Sequence, residues 1–473
     1  MIRAHIKKLS LLILPVVVLV FLSDSRPAAG NDSVPGAFNL PEVKSINLAN
    51  GVRAFYIHDD VPQVVIAASF GFGRLYESGD NAGMADCIAR MINLAGSEKY
   101  PGKKLHEKID AMGGNFSVQA SWENTVIVLQ VLRRFEREAF DIVGDIINRP
   151  NFDERHWKMA KNLVADDIIR RYDDPATIAF EKTREIIFQG KGYGSVPTAG
   201  KVQSYSMEDM KNAWARYFIG SNLIMGISSP SDLQSVSGNV TLAFSSLKKG
   251  VAIEYPSQNE EALQSVKANS TTVFLYPKDL PQATVVVGTA APDINHPGHH
   301  SMIVMNYILG AGSFNSHLMR EIRVKRGLAY AVASIYKARF RSGVFLAYAQ
   351  TRNDEAGTVL SLLLENINKM ASEPVSDEEL TWAKNSINNS YIFNFDTTLN
   401  LLNNYIEMAY NRLPVDYFST YPLKVEGVSA ADIMKFDREL LQYGLIKVVI
   451  GKKELAEKLA QYGKVVVLPV DQQ

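Results

Sequence analysis

Two stretches of the chain align without a gap over ten positions, residues 54–63 (AFYIHDDVPQ) and residues 273–282 (VFLYPKDLPQ). In both, an apolar run ends in a polar turn, and Pro-Gln then opens a second β-rich run, 64–70 or 283–289, leading to a helical stretch that begins near Ala82 or near His299. Matching residues in a matching order of elements mark a duplication, so the chain of 473 residues reads as one folding unit used twice. Residues 252–270 (AIEYPSQNEEALQSVKANS) are polar and weakly periodic, as expected of a linker between two domains. The halves are therefore placed at 31–251 and 271–473.

Apolar residues recurring every 3.6 positions predict helices over 103–112, 134–148, 153–171 and 207–218 in the first half, and over 302–309, 355–370, 377–391 and 430–442 in the second. Ser376 followed by Glu379 forms a capping-box pattern at one of these starts. Short β-branched or aromatic runs predict strands at 125–132, 223–227, 344–350 and 446–450. Helices interleaved with strand hairpins give an α+β class in each half, an antiparallel sheet with helices packed on one face.

The bulk composition, 47% apolar and 21% charged, is that of a globular protein with sizeable cores. Lysine plus arginine equals aspartate plus glutamate at 50 each, which provides no electrostatic footprint for nucleic acid or an anionic membrane surface. At the amino terminus Arg3, Lys7 and Lys8 precede an apolar run over 9–22 broken only by Ser10 and Pro15, and Ala28-Ala29-Gly30 supplies small residues for cleavage. This is the shape of a signal peptide over residues 1–30, and the run is shorter than the ~20 residues a spanning helix needs. Export, most simply to a bacterial periplasm, with no stable membrane span after cleavage, is the expectation; an uncleaved anchor is the alternative. Cys87 is the one cysteine, so no disulfide closes within the chain. It is read as a small buried packing group rather than a reactive thiol.

Residues 71–98 (GFGRLYESGDNAGMADCIARMINLAGSE), with Tyr76-Glu77, the Gly83-Met84-Ala85 helix entry, Met91 and Gly96-Ser97, resemble the metal-binding segment of the pitrilysin/insulinase family in its mitochondrial-processing-peptidase-like branch. Further likeness lies in residues 200–210 (GKVQSYSMEDM), 217–222 (YFIGSN) and 413–417 (LPVDY), and the resemblance runs from about residue 45 to the carboxyl end. In that family the helix carries HxxEH, two zinc histidines and the glutamate that activates water. In register this chain has Asp86, Cys87, Ile88, Ala89 and Arg90, and the position of the third ligand, a glutamate in the family, is best matched by Asp167. The resemblance thus implies a degenerate site, with no metal bound by this chain and no base at Ala89. Arg90 then stands where the cation belongs, and is expected either to bridge Asp86 and Asp167 or to form an ordinary solvated ion pair. His296, His299 and His300 lie close in sequence without an accompanying HxxEH glutamate, and read as a polar helix start rather than a ligand set.

The second half matches the family's glycine-containing segment at 309–317 (LGAGSFNSH) and its Arg/Tyr pair at Arg323 and Tyr330. The resemblance implies that this pair reaches a zinc site and donates to the oxyanion formed when water attacks a peptide. A chain with the pair but without HxxEH resembles the non-catalytic subunit of heterodimeric bacterial peptidases. Its expected partner is a homologous HxxEH-bearing subunit that carries the zinc, and its expected substrate is peptide. Peptide can add as a strand to a sheet edge, for which Asn115, Phe116 and Ser117 are the candidate residues; an ordinary hairpin strand is the equal alternative. A peptide-binding or scaffolding protein without a peptidase partner is the competing function, and an independent peptidase conflicts with the loss of both histidines and the glutamate.

Overall fold

The computed structural model of the protein describes residues 40–251, 253–254 and 258–470. The expected signal segment lies outside the described residues. β1 (Val43–Asn47), β2 (Arg53–His58), β3 (Gln63–Phe70), β4 (Asn115–Ala120), β5 (Thr125–Leu132) and β6 (Leu223–Ser229) form one sheet in the order β1-β2-β6-β3-β5-β4. β7 (Thr272–Pro277), β8 (Gln282–Ala291), β9 (Ala329–Ala338), β10 (Gly343–Arg352), β11 (Ile446–Gly451) and β12 (Lys464–Val467) form the other, in the order β12-β7-β11-β8-β10-β9. The five-strand order β2-β6-β3-β5-β4 is repeated as β7-β11-β8-β10-β9, so the two halves are homologous in topology as well as in sequence. The sheets are mixed rather than antiparallel: β2 runs parallel to β6, and β7 parallel to β11 and β12. Each parallel pair joins an early strand of a half, β2 or β7, to one that arrives after a long helical excursion, which adjacent hairpin signals do not reveal.

The helices α1 (Met84–Ala95), α2 (Lys103–Ala111), α3 (Glu136–Asn148), α4 (Glu154–Arg171) and α5 (Pro175–Ile187) follow in the first half. Ile88 and Ile92 of α1, Phe140 of α3 and Trp157 of α4 share a core with Val64, Ile66 and Ala68 on one face of β3. β3 is buried from Val64 to Phe70, as β8 is from Ala283 to Ala291, because both faces of each strand are covered. The second cover comes from the other half. Ile178 and Ala179 of α5 pack with Val286 and Ala290 of β8 and Val448 of β11. In return, Leu402 of the Thr398–Tyr410 helix packs with Val65, and Ile406 with Ala67 and Ile224, on the first sheet.

Both crossings use a glycine to bring helix and strand together. A Cβ added at Gly226 would stand 2.8 Å from Cβ of Leu402, and one at Gly288 would stand 3.1 Å from Cγ2 of Thr183. Helices on one face of each sheet therefore account for half the architecture, and a reciprocal exchange of helices supplies the rest. The stretch read as a linker also contributes: the Asn259–Asn269 helix lies within it, and its Ala262 and Val266 join the α5 core.

Candidate functional site

α1 starts at Gly83, whose φ of 86° is left-handed and suits glycine. The first-turn N–H groups of such a helix need acceptors, and Glu77 supplies them from the preceding loop. Its carboxylate accepts from N–H of Gly83 at 2.8 Å and of Ala85 at 2.9 Å. Glu77 is only 2% exposed, and burial, with the Asp86 charge second, pushes its pKa up to about 7 against the pull of those two bonds. Met84, Cys87, Ile88, Met91 and Ile92 then face the core, which leaves Asp86, Arg90 and Asn93 on the open side. Cys87 is buried, and burial pushes its thiol well above the ordinary range.

Nη2 of Arg90 donates to Oδ2 of Asp167 on α4 at 2.8 Å, with the two side chains 51% and 46% exposed. The expected bridge to Asp86 is not made. Asp86 instead lies 3.9 Å from the guanidinium of Arg74, and Asp167 has a further neighbour in Arg170 at 3.6 Å. Asp86 thus finds its counter-charge in a loop arginine that is more buried than Arg90, where the attraction is less screened. Ala89, between the pair, is 4% exposed and carries no proton acceptor. Two carboxylates, each already facing a guanidinium, do not fit the three protein ligands of a catalytic zinc. Among the described residues no group of three or more His, Cys, Asp or Glu side chains is placed to hold a metal.

β4, with Asn115, Phe116 and Ser117, is the edge of the first sheet. One stretch of that edge is already satisfied: Asn93 on α1 donates from Nδ2 to the carbonyl of Val118 at 2.8 Å and accepts from its N–H at 3.2 Å. A side-chain amide in this position does what a neighbouring strand would do, a recognised way of blunting an edge.

Arg323 sits in a π-helical turn, Met319–Val324, with its guanidinium 4.0 Å from Sδ of Met319 and 5.8 Å from the ring centre of Phe314. Tyr330 is the second residue of β9, the opposite sheet's edge, and is 74% exposed. Among the described residues no hydrogen bond or ion pair joins either of them to Asp86, Arg90 or Asp167. The histidine cluster does stand at a helix start, His299–Asn306, where His296 accepts from N–H of Gly298 at 3.0 Å, but His299 is only 5% exposed, with Nδ1 3.0 Å from the Tyr336 hydroxyl and Nε2 3.4 Å from that of Tyr417. Burial pushes His299 down to about 3 and His300 down to about 4, so both are neutral, His299 in the core and His300 half-buried beside it.

The sequence reading missed Arg74, Asn93 and the capping role of Glu77. Only Glu77 had a signal, an acidic residue six positions before a helix-entry glycine.

Two α+β halves with a metal-ligand helix whose ligand positions are replaced define a peptidase fold without a zinc site of its own. A model of the insulinase family (peptidase family M16) matches residues 53–197, and a model of the peptidase M16 inactive domain matches residues 204–387. The chain belongs to the insulinase family, as a member lacking the zinc ligands. It is 27% identical over 360 residues to an uncharacterized zinc protease of Rickettsia felis, covering 75% of this chain and 83% of that one. It is 23% identical over 384 residues to the non-peptidase homolog YmxG of Helicobacter pylori, covering 80% and 86%. The crystal structure of a peptidase M16 inactive domain from Pseudomonas fluorescens superposes with a TM-score of 0.78 at 18% identity, covering 87% of this chain and 98% of that one.

Proposed function

We propose that this chain is the non-catalytic subunit of an exported heterodimeric zinc metallopeptidase, in which a homologous HxxEH-bearing partner holds the zinc and this chain lends Arg323 and Tyr330 to the partner's site. The observation that carries the reading is the contrast between the two halves. The first has replaced its metal positions with Asp86, Ala89 and Arg90, while the second keeps a phenol 74% exposed at the start of an edge strand and, seven residues earlier in the chain, a guanidinium backed by Met319 and Phe314. Exposed donors of this kind are useful when they meet charge that develops elsewhere. Export rests on residues 1–30, and no helix of the described residues is long and apolar enough to cross a membrane.

The test is to purify the chain with its native partner, reconstitute the pair with Arg323→Ala or Tyr330→Phe, verify assembly by sedimentation and measure peptide cleavage. Loss of an oxyanion donor lowers turnover on the order of a hundredfold to a thousandfold, more than it weakens substrate binding. Assembled variants with wild-type turnover overturn the composite site and leave a scaffolding subunit.

A further inference from the structure

Trp122, in the turn between β4 and β5, gathers three guanidinium groups around one indole. Arg74 and Arg184 each lie with Cζ 4.8 Å from its ring centre, and Arg339 lies at 5.2 Å. The three come from the loop before α1, from α5 and from the residue after β9, so the cluster stands where the two halves meet. Cation–π attraction explains their tolerance of one another only in part, because like charges this close repel in a low-dielectric setting.

The carboxylates nearby do not balance them. Glu123 is shared by the Tyr193 hydroxyl, by N–H of Phe340 at 3.1 Å and by Arg339 at 4.0 Å. Glu181 is held by Arg171 at 3.0 Å, and Asp86 faces Arg74. Glu407 interacts electrostatically with Arg339 and Lys337 without pairing with either. Arg184 forms an ion pair with no described carboxylate. Burial first, and the neighbouring arginines after it, push its pKa down to about 10, against the pull of Glu181, so it stays charged at neutral pH.

Beside this guanidinium is a cavity of about 210 Å³ lined by Trp122, Phe180, Arg184, Tyr193, Lys337 and Arg339. Its rim carries Ile335, 37% exposed, and exposed Lys337. At roughly 30 Å³ per water the space corresponds to about seven waters, the scale of one amino-acid residue rather than of a long segment. Aromatic walls suit an apolar side chain, and a guanidinium with no ion-pair partner suits a carboxylate, which it can hold in bidentate fashion.

We infer that this cavity is a binding site for the carboxyl-terminal residue of a peptide, with Arg184 and Arg339 taking the free α-carboxylate and the Trp122, Phe180 and Tyr193 rings taking an apolar side chain. Arg74 ties the cavity to the degenerate helix, since the same guanidinium faces both Trp122 and Asp86. The choice of a peptide end rests on the reading of a peptide-handling subunit. The site itself lies wholly within this chain.

The test therefore uses the isolated full chain and calorimetric titration with N-acetyl-Ala-Ala-Phe as the free acid, the same peptide as its carboxamide, N-acetyl-Ala-Ala-Glu carboxamide, and acetate. The free acid is expected to bind at least about tenfold more tightly than any of the other three, since charge-assisted bonds to a guanidinium are about twice as strong as neutral ones. Arg184→Gln should sharply reduce the difference between acid and amide, with Arg339 left to hold the carboxylate alone, while circular dichroism shows the fold intact. Equal binding of acid and amide overturns the site. So does Arg184→Gln with unchanged preference, while equal binding of the glutamate peptide or of acetate overturns the terminal-residue assignment. Failure here leaves the Arg323/Tyr330 reading standing, and failure of subunit reconstitution leaves this site standing.

Discussion

The hydroxyl of Tyr410 lies 2.6 Å from the carbonyl oxygen of Ser69, a buried contact between residues 341 positions apart. The same hydroxyl is 3.0 Å from the carbonyl of Asn222. Tyr410 ends a helix of the second half, Ser69 belongs to β3, and Asn222 immediately precedes β6. The phenol therefore fixes the crossing helix against two neighbouring strands of the other half.

Removing that hydroxyl takes away the one proton shared between these two buried carbonyls, a loss of about 1–3 kcal/mol. Tyr410→Phe should lower the urea midpoint by the corresponding amount while the denaturant slope stays unchanged. A midpoint equal to wild type would show that the crossing helix is held by packing alone.

Leu402→Ala should cost more, about 2–5 kcal/mol. Leu402 is fully buried at the same crossing, against Gly226, and the cavity left behind cannot be filled by a strand glycine.

The isolated protein should hold no stoichiometric zinc and cleave no unstructured peptide, since Asp86, Ala89 and Arg90 occupy the ligand and base positions. Elemental analysis after chelation and dialysis checks the first, and a quenched-fluorescence peptide library the second. One tightly held zinc per chain, with activity lost on chelation, would contradict the site described above.

Arg90→Ala is expected to have a small effect. With both partners about half exposed, the Arg90–Asp167 pair at 2.8 Å is worth about 0.2–1 kcal/mol, and less at high salt. A loss of several kcal/mol in the same denaturation assay would mean that the pair is far less solvated than its exposure indicates.

Asp437 gives a pH dependence of known sign. It is fully buried, neither carboxyl oxygen has a hydrogen-bond partner among the described residues, and burial pushes its pKa from 3.8 up to about 7. Between those values the unfolded chain has released a proton that the folded chain retains, so this residue makes stability fall as pH rises through that window and changes nothing above it. Asp437→Asn should therefore be near neutral at about pH 4 and stabilising by up to about 4 kcal/mol above pH 7. Urea titrations of both proteins across that range measure the difference. A constant difference would reject the titration of Asp437. Glu77 shifts in the same direction, so the variant comparison is needed to isolate one group.

The sequence made several elements legible to the residue. The 377–391 helix and the 125–132 strand fall where apolar spacing predicts them, and Ser376 and Glu379 form the capping box their spacing suggests. Several helices escaped, the one inside the expected linker included, and among them are the two that cross between halves. α5 buries Glu181 and Lys182 beside Ile178 and Ala179, so its inner face is not marked by hydrophobicity. Its Asp174-Pro175 start was a readable signal. The Thr398–Tyr410 helix is interrupted by asparagines at 400, 403 and 404, which weakened its pattern. At the degenerate site, register within α1 placed Asp86, Ala89 and Arg90, but no local pattern could show that Arg74 would reach Asp86, or that Asn93 would satisfy the Val118 peptide groups, because both depend on chain segments brought together by packing.

The exchanged helices make the two halves poor candidates for independent life. A nick in the backbone between them would leave two pieces still clasped, each holding a part the other lacks. Expressed singly, either piece would present a bare apolar sheet face to the cell's chaperones and proteases. Expressed together from separate genes, they would be expected to complement one another, because the first half, though it lacks the zinc ligands, covers a sheet face that the second half cannot cover alone.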